Sequence, residues 1–407
     1  VSTGYSEKPA SSWRRGLEGL ERSDAFEPAD GGRVSAVQAR DLLLADRRAL
    51  RRKVLLCAAV LAALLLASLC LTVSVRGAIY PGEVASCVAL WFQVQFTNLF
   101  TTDVPLTVAQ IQRLQPYYYE VTSRFSISVL TAVCGAMLAC SGMLYQNVFR
   151  NPIAAPTMLG VQSGVNIGLV VLVLVYGTAA VYADGPRYLL CYLCVALVVG
   201  LVFGAGRLIG GKGSFNVVNM LIVGSIVSQL VGTAVTYVTN NLMDDDLFET
   251  YYLVQQQLQV DASLTSWLAV LAVFAVAAAP VVALRFGMNV LGFSDQEARF
   301  MGANATGMRV VALVSGSLMI AAATVYCGAV SMVSLMVPHI ARLLFGSEFR
   351  KQLAGNMLLG AIVLLFCRDV TALVPFLSTG LPLGTVVSFV TMPFFVWILA
   401  VQQRSWE

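Results

Sequence analysis

The stretch from Phe293 to Asn304 carries the densest polar chemistry in an otherwise apolar half of the chain. Ser294, Asp295, Glu297 and Arg299 lie between Phe293 and a Gly302/Asn304 break. This pattern predicts two short amphipathic helices that project as a compact knob and offer charge and shape to a soluble partner. Asn219, Gln229 and Thr236 recur through one long apolar run, and Asn166 sits in another. Amide and hydroxyl groups in such runs face either a cavity or a neighbouring helix, and both readings stay open.

Other motifs carry less. Gly206–Gly213 reads GRLIGGKG, with glycine where a phosphate-binding loop needs Ser or Thr and with an apolar helix rather than a strand before it. It is read as a basic turn, so nucleotide belongs on another subunit. Cys191 and Cys194 lie in an apolar helix and read as packing residues. Asp244–Asp246 read as a solvated loop. No HExxH or GxSxG arrangement is present, and the single histidine, His339, argues against a His-rich metal site. The chain is expected to be neither an enzyme nor a metal or cofactor binder.

The elements that position these groups follow from composition. Of 407 residues, 58% are hydrophobic and 12% charged, and mean hydropathy is +0.77. A soluble domain carries about 25% charged residues, so soluble enzymes, nucleic-acid binders and disordered chains are excluded. Residues 1–53 hold 11 of the 26 basic and 8 of the 22 acidic side chains and read as a polar cytoplasmic tail. The remainder, 54–405, reads as an all-α polytopic membrane domain.

Apolar runs long enough to cross a bilayer fall near 54–75, 126–147, 158–180, 188–206, 216–238, 265–286, 309–329, 332–346, 353–373 and 383–402. Arg51, Arg52 and Lys53 flank the first. With both termini inside, ten later basic residues face inward and five outward, as the positive-inside rule asks. Segments 76–125 and 239–264 are then outside, and 287–308 inside. Gly160, Gly164 and Gly168 recur every fourth residue and predict a close helix–helix contact.

Four separated blocks resemble one family. SGMLYQNVFRNPIAAPTMLGVQSGV (141–165) is similar to an SGxxxQxxxRNPLAxPxxLGxxSG signature. LGFSDQEARFMGANATGMR (291–309) resembles an inner coupling segment, VSLMVPHIARLLFG (333–346) a VPHIxR block, and LPLGTVVSFVTMPFFVWIL (381–399) an LPxG…PFF block. The family is the FecCD-type permease subunits of ABC importers for iron–siderophore, haem and cobalamin.

The resemblance implies the ten-helix fold of a type II importer permease, dimerised with a second copy or a relative. It implies two cytoplasmic ATPase subunits carrying ATP and Mg, and an external substrate-binding protein. It assigns Phe293, Ser294, Asp295, Glu297, Arg299, Gly302 and Asn304 to ATPase coupling. Asn219, Gln229 and Thr236, with Asn166, become pathway residues, and ferric siderophore the expected cargo. Outer arginines of the family pair with glutamates of the binding protein, which points to Arg124, Arg76 and Arg187. The sequence departs from the pattern at Ile127, Gly380 and Leu373, where the family often has Arg, an acidic residue and Arg. An ion-coupled transporter built around Arg368 and Asp369 is the rival reading.

Overall fold

The computed structural model describes residues 36–74, 81–100, 108–210, 217–256, 264–293, 295–373 and 382–404. The chain divides into two units, Val1–Leu55 and Leu56–Glu407. In the first, the described residues are wholly helical and form the start of α1 (Ala36–Ser74).

The second unit is a helical bundle. After α1 come α2 (Pro81–Phe100), α3 (Val108–Phe149), α4 (Val161–Tyr176), α5 (Asp184–Gly210) and α6 (Val217–Asn241). Then follow α7 (Asp245–Gln256), α8 (Leu264–Ala283), α9 (Asp295–Phe300), α10 (Ala305–Cys327), α11 (Met332–Phe345), α12 (Phe349–Leu373) and α13 (Leu383–Arg404). Each of the ten expected spans coincides with one of these helices. Among the described residues, six are long and apolar enough to cross a membrane by length and composition: Val121–Phe149, Val161–Tyr182, Gly185–Ile209, Asn219–Asn241, Ala305–Cys327 and Phe349–Ala372. No strand occurs among the described residues, because a backbone in lipid must satisfy its own hydrogen bonds.

Helix α3 is the hub. It packs against α12, α10 and α11, and 78% of its apolar window is buried by the rest of the chain. Small residues permit this. A Cβ on Gly135 would sit 2.3 Å from the carbonyl oxygen of Gly360 on α12, and one on Gly360 would meet Gly135 at the same distance. Two backbones therefore touch directly, the route by which membrane helices pack without a hydrophobic drive.

Polar stitches fix the rotation of each helix. Ser141 donates to Gly316 O at 2.8 Å, Tyr145 and Ser317 share a 2.6 Å bond, and Asn356 donates to Ala139 O at 2.7 Å. Helix α11 contains Pro338, which removes an intrahelical donor. Carbonyls beside that break are taken by side chains instead: Gln146 Nε2 donates to Leu335 O at 2.9 Å, and Gln352 Nε2 to Pro338 O at 2.8 Å.

The glycine pattern of 160–168 is partly as expected. Gly164 and Gly168 lie against Val195 and Cys191 of α5, where added Cβ atoms would come within 2.7 and 2.6 Å of those Cα atoms. Gly160 also lies against α5, where an added Cβ would come within 2.9 Å of Val198 Cγ1, and it approaches Ser228 Oγ of α6 as well. It caps the helix with φ +76, so α4 starts at Val161, three residues later than the apolar run suggests.

Candidate functional site

The segment 287–308 packs on the end of α3. Gly287–Gly292 forms a 3₁₀ turn, α9 follows, and Gly302 (φ +73) turns the chain into α10, whose N-cap is Asn304. The expected pair of short helices is thus one 3₁₀ turn and one α-helix. Asn304 Oδ1 accepts from Gly307 N at 3.0 Å, which ties the break to the next span.

Two side chains at the end of α3 hold this knob from below. Asn147 Nδ2 donates to Met288 O at 2.8 Å, and Arg150 Nε donates to Leu291 O at 2.8 Å. The Arg150 guanidinium also donates to Phe293 O. From above, Asn289 Oδ1 accepts from Phe349 N at 2.8 Å. Arg150 itself adopts φ 50, the turn that ends α3 and aims the side chain at the knob. Ala298 is buried and pins α9, whereas Phe293, Glu297, Phe300 and Met301 are exposed; Phe300 shows 91% of its surface. Such apolar exposure on a polar turn marks an interaction surface. Asp295 and Arg299 share α9 with Glu297, while Ser294 lies outside the described residues.

A second feature is a cavity of about 960 Å³ between α7, the end of α10 and the start of α13. Its walls are mainly apolar, with Phe389, Met392 and Cys327, and Tyr252, Gln255 and Ser388 supply polar groups. That combination is the usual character of a small-molecule site. Gln255 Nε2 donates to Tyr251 Oη at 3.1 Å and reaches Asn166 Oδ1 at 3.5 Å. Burial pushes the Tyr251 hydroxyl up to about 12, so it stays neutral. Asn166 is therefore placed beside the cavity wall through Gln255.

Helix α6 differs from the other long helices, since 11% of its apolar window is buried by the chain. Ser225, Gln229, Thr233, Thr236 and Asn240 are all exposed and fall every three or four residues, so they form one polar stripe. Ser225, Thr233 and Thr236 donate back to carbonyls of Ile222, Gln229 and Gly232, so these three hydroxyls need no neighbouring helix to satisfy them. Asn219 is half-buried below it. Only Gln229 and Thr236 of this stripe are expected from sequence; the three-and-four spacing of Ser225, Thr233 and Asn240 was the signal that completes it.

The expected docking arginines separate. Arg124 is half-buried on α3, and Arg76 lies outside the described residues. Arg187 is withdrawn from that set: it is 1% exposed and its Nη2 donates to Val254 O at 3.2 Å, at the end of α7. A guanidinium buried there is spent on a helix C-terminus and cannot meet a partner's carboxylate.

Remaining motifs resolve as structure. Asp244 Oδ1 accepts from Leu247 N at 2.9 Å and caps α7, with Asp245 and Asp246 in its first turn. Cys191 is buried and Cys194 half-buried, and both are free thiols. No group of His, Cys, Asp and Glu suited to a metal occurs among the described residues. Arg368 and Asp369 pair at 3.7 Å; Ser68 donates to Asp369 Oδ1 at 2.8 Å, and Arg368 also donates to Ser128. This network joins α1, α3 and α12.

A multi-pass helical bundle with a knob pinned to its central helix is the architecture of a transport permease. The FecCD transport family matches residues 89–401, and the chain belongs to that family. It is 31% identical over 279 residues to the Fe(3+) dicitrate transport system permease protein of Escherichia coli, covering 68% of this chain and 81% of the relative. It is 28% identical over 283 residues to the probable iron chelatin transport system permease protein of Helicobacter pylori (67% and 79%). Identity is also 28% over 293 residues to the vitamin B12 import system permease protein of Salmonella paratyphi A (71% and 85%). A solved metal-chelate type ABC transporter in an inward-facing conformation shares the fold, with a TM-score of 0.60 at 22% identity over 79% of this chain and 99% of the other.

Proposed function

We propose that this chain is the permease subunit of an ATP-driven importer that passes a metal chelate inward, with ferric siderophore as cargo. The polar stripe of α6 carries the reading. An exposed row of Ser225, Gln229, Thr233, Thr236 and Asn240 on a span, in which only the three hydroxyls bond back to their own helix, is costly against lipid and natural against a hydrated pathway. The pathway closes when a second permease, a copy or a relative, covers that face. Asn166 joins the polar lining beside the cavity through Gln255, and Asn219 continues the α6 stripe toward the opposite end of the helix.

The same reading puts both termini and the knob in the cytoplasm. Phe293, Ser294, Asp295, Glu297, Arg299, Gly302 and Asn304 then couple to two ATPase subunits that hold ATP and Mg. Arg124 and Arg76 remain the residues offered to an external binding protein. Haem or cobalamin would use the same route, and relatives of both iron-chelate and vitamin B12 systems support the importer type rather than one cargo. The ion-coupled reading would rest on Arg368 and Asp369, which bind each other, Ser68 and Ser128, and membership of the FecCD transport family counts against it.

The test is uptake of radiolabelled ferric siderophore, haem and cobalamin by proteoliposomes holding this chain and its co-purified ATPase. ATP-dependent uptake of the ferric siderophore that falls at least about tenfold in Gln229→Leu/Thr233→Val/Thr236→Val supports the proposal. Uptake driven by a proton or sodium gradient without ATPase rejects it.

A further inference from the structure

Beside the knob lies a second concavity of about 250 Å³ whose chemistry the transport reading has not used. Gln146, Asn147 and Arg150 of the α3 end, Arg342 of α11, Ser347, and Gln352 of α12 line it. None of the described lining residues is Asp or Glu. The amides turn their N–H groups onto backbone carbonyls: Gln146 to Leu335, Asn147 to Met288 and Gln352 to Pro338. The Arg342 guanidinium donates one N–H to Gln146 Oε1, and its Nε is buried with no acceptor. The buried Nε is sealed from the cleft, so an entering oxyanion would meet the outer N–H groups of a partly buried guanidinium that faces no carboxylate among the described lining residues. The planar fork of Arg342 matches a carboxylate or a phosphate.

We propose that this pocket is an oxyanion site, and that in the assembled importer it receives a carboxylate side chain of the docked ATPase subunit. This rests on the coupling reading above. Position favours that source. Gly292 forms part of the rim, and the exposed Phe293 follows directly, so a protein covering the knob also covers the pocket. The partner surface is thus an apolar cleft for Phe293, Phe300 and Met301 with an Asp or Glu at its edge. Docking would be part hydrophobic and part charge-assisted, and the charged part would fix the register of the knob.

The experiment places a photo-crosslinking amino acid, p-benzoylphenylalanine, at Ser347 or at Phe300 in the full chain within native membranes. Both positions are exposed. Crosslinks are mapped by mass spectrometry. Expected is a crosslink from both positions to the ATPase, with the Ser347 product on a segment that contains Asp or Glu. A Phe300 product on the ATPase with a Ser347 product on lipid, or with none, overturns the pocket proposal and leaves the coupling reading standing. No ATPase product from either position overturns both.

A second arm measures retention of the ATPase on wild type, Arg342→Lys and Arg342→Gln, each first shown to be monodisperse. Arg342→Gln is expected to weaken association by about tenfold or more and to flatten its salt dependence, with Arg342→Lys between. Equal retention by all three at low and high salt overturns the proposal. Added inorganic phosphate separates the sources. A partner carboxylate predicts that phosphate loosens the wild-type complex and leaves Arg342→Gln unchanged. Phosphate that tightens the wild-type complex identifies a free-phosphate site and overturns the carboxylate assignment.

Discussion

Arg150 ends the central helix and supports the 287–308 knob through two backbone carbonyls, Leu291 and Phe293. Each charge-assisted bond of this kind contributes about 1.5–3 kcal/mol. Arg150→Ala is expected to leave the spans folded, as judged by circular dichroism, and to lower transport at least about tenfold by loosening the knob. Arg150→Lys keeps the charge and falls between, because an ammonium cannot reproduce the two-carbonyl fork. The Arg368–Asp369 pair predicts a different outcome. Asp369→Ala strands a guanidinium that is 8% exposed, a change that costs about 3–5 kcal/mol. It should show as a fall in thermal midpoint in detergent. Side-chain types alone left these two networks undecided: Arg150 stood inside a recognisable motif without a role, and Arg187 read as surface because only its buried contact with Val254 reveals otherwise.

At the scale of elements, hydropathy located the spans well because twenty apolar residues in sequence have few other places to go. It missed α2 and α7, whose apolar faces are short and mixed with polar residues. Helix α2 buries Trp91 against Phe125 and Trp267, and Trp267 donates to Ser126. Helix α7 is capped by Asp244. Asp244→Ala is expected to cost about 1 kcal/mol locally and to speed amide exchange in the first turn of α7. Close helix contacts give a sharper contrast. A Cβ on Gly142 would sit 1.7 Å from Ser334 O, whereas one on Gly232 meets nothing within 4 Å. Gly142→Ala should therefore reduce folded yield while Gly232→Ala leaves it unchanged, as read by size-exclusion recovery. Glycine spacing signalled such contacts at Gly164 and Gly168, but not which partner each would touch.

For the whole molecule, the stripe on α6 predicts a water-facing surface inside the membrane. In single-cysteine chains, a water-soluble maleimide is expected to label Gln229→Cys and to spare Leu230→Cys, one residue away on an exposed apolar flank. Equal labelling of both would place the whole helix against lipid or against water. The family, the spans and the short-helix knob were legible because each rests on local sequence. The cavity between α7, α10 and α13 and the cationic pocket were not, because they join residues more than a hundred positions apart.

One consequence concerns mechanics. Beyond Pro116, helix α3 carries the 29-residue span Val121–Phe149, about 44 Å of rise, with the knob pinned at its far end. Such a rod converts a tilt of about 5° into a displacement of about 4 Å between its ends. Motion generated on one side of the bilayer thus arrives on the other as a stroke, through a single stiff lever rather than a relay of loops.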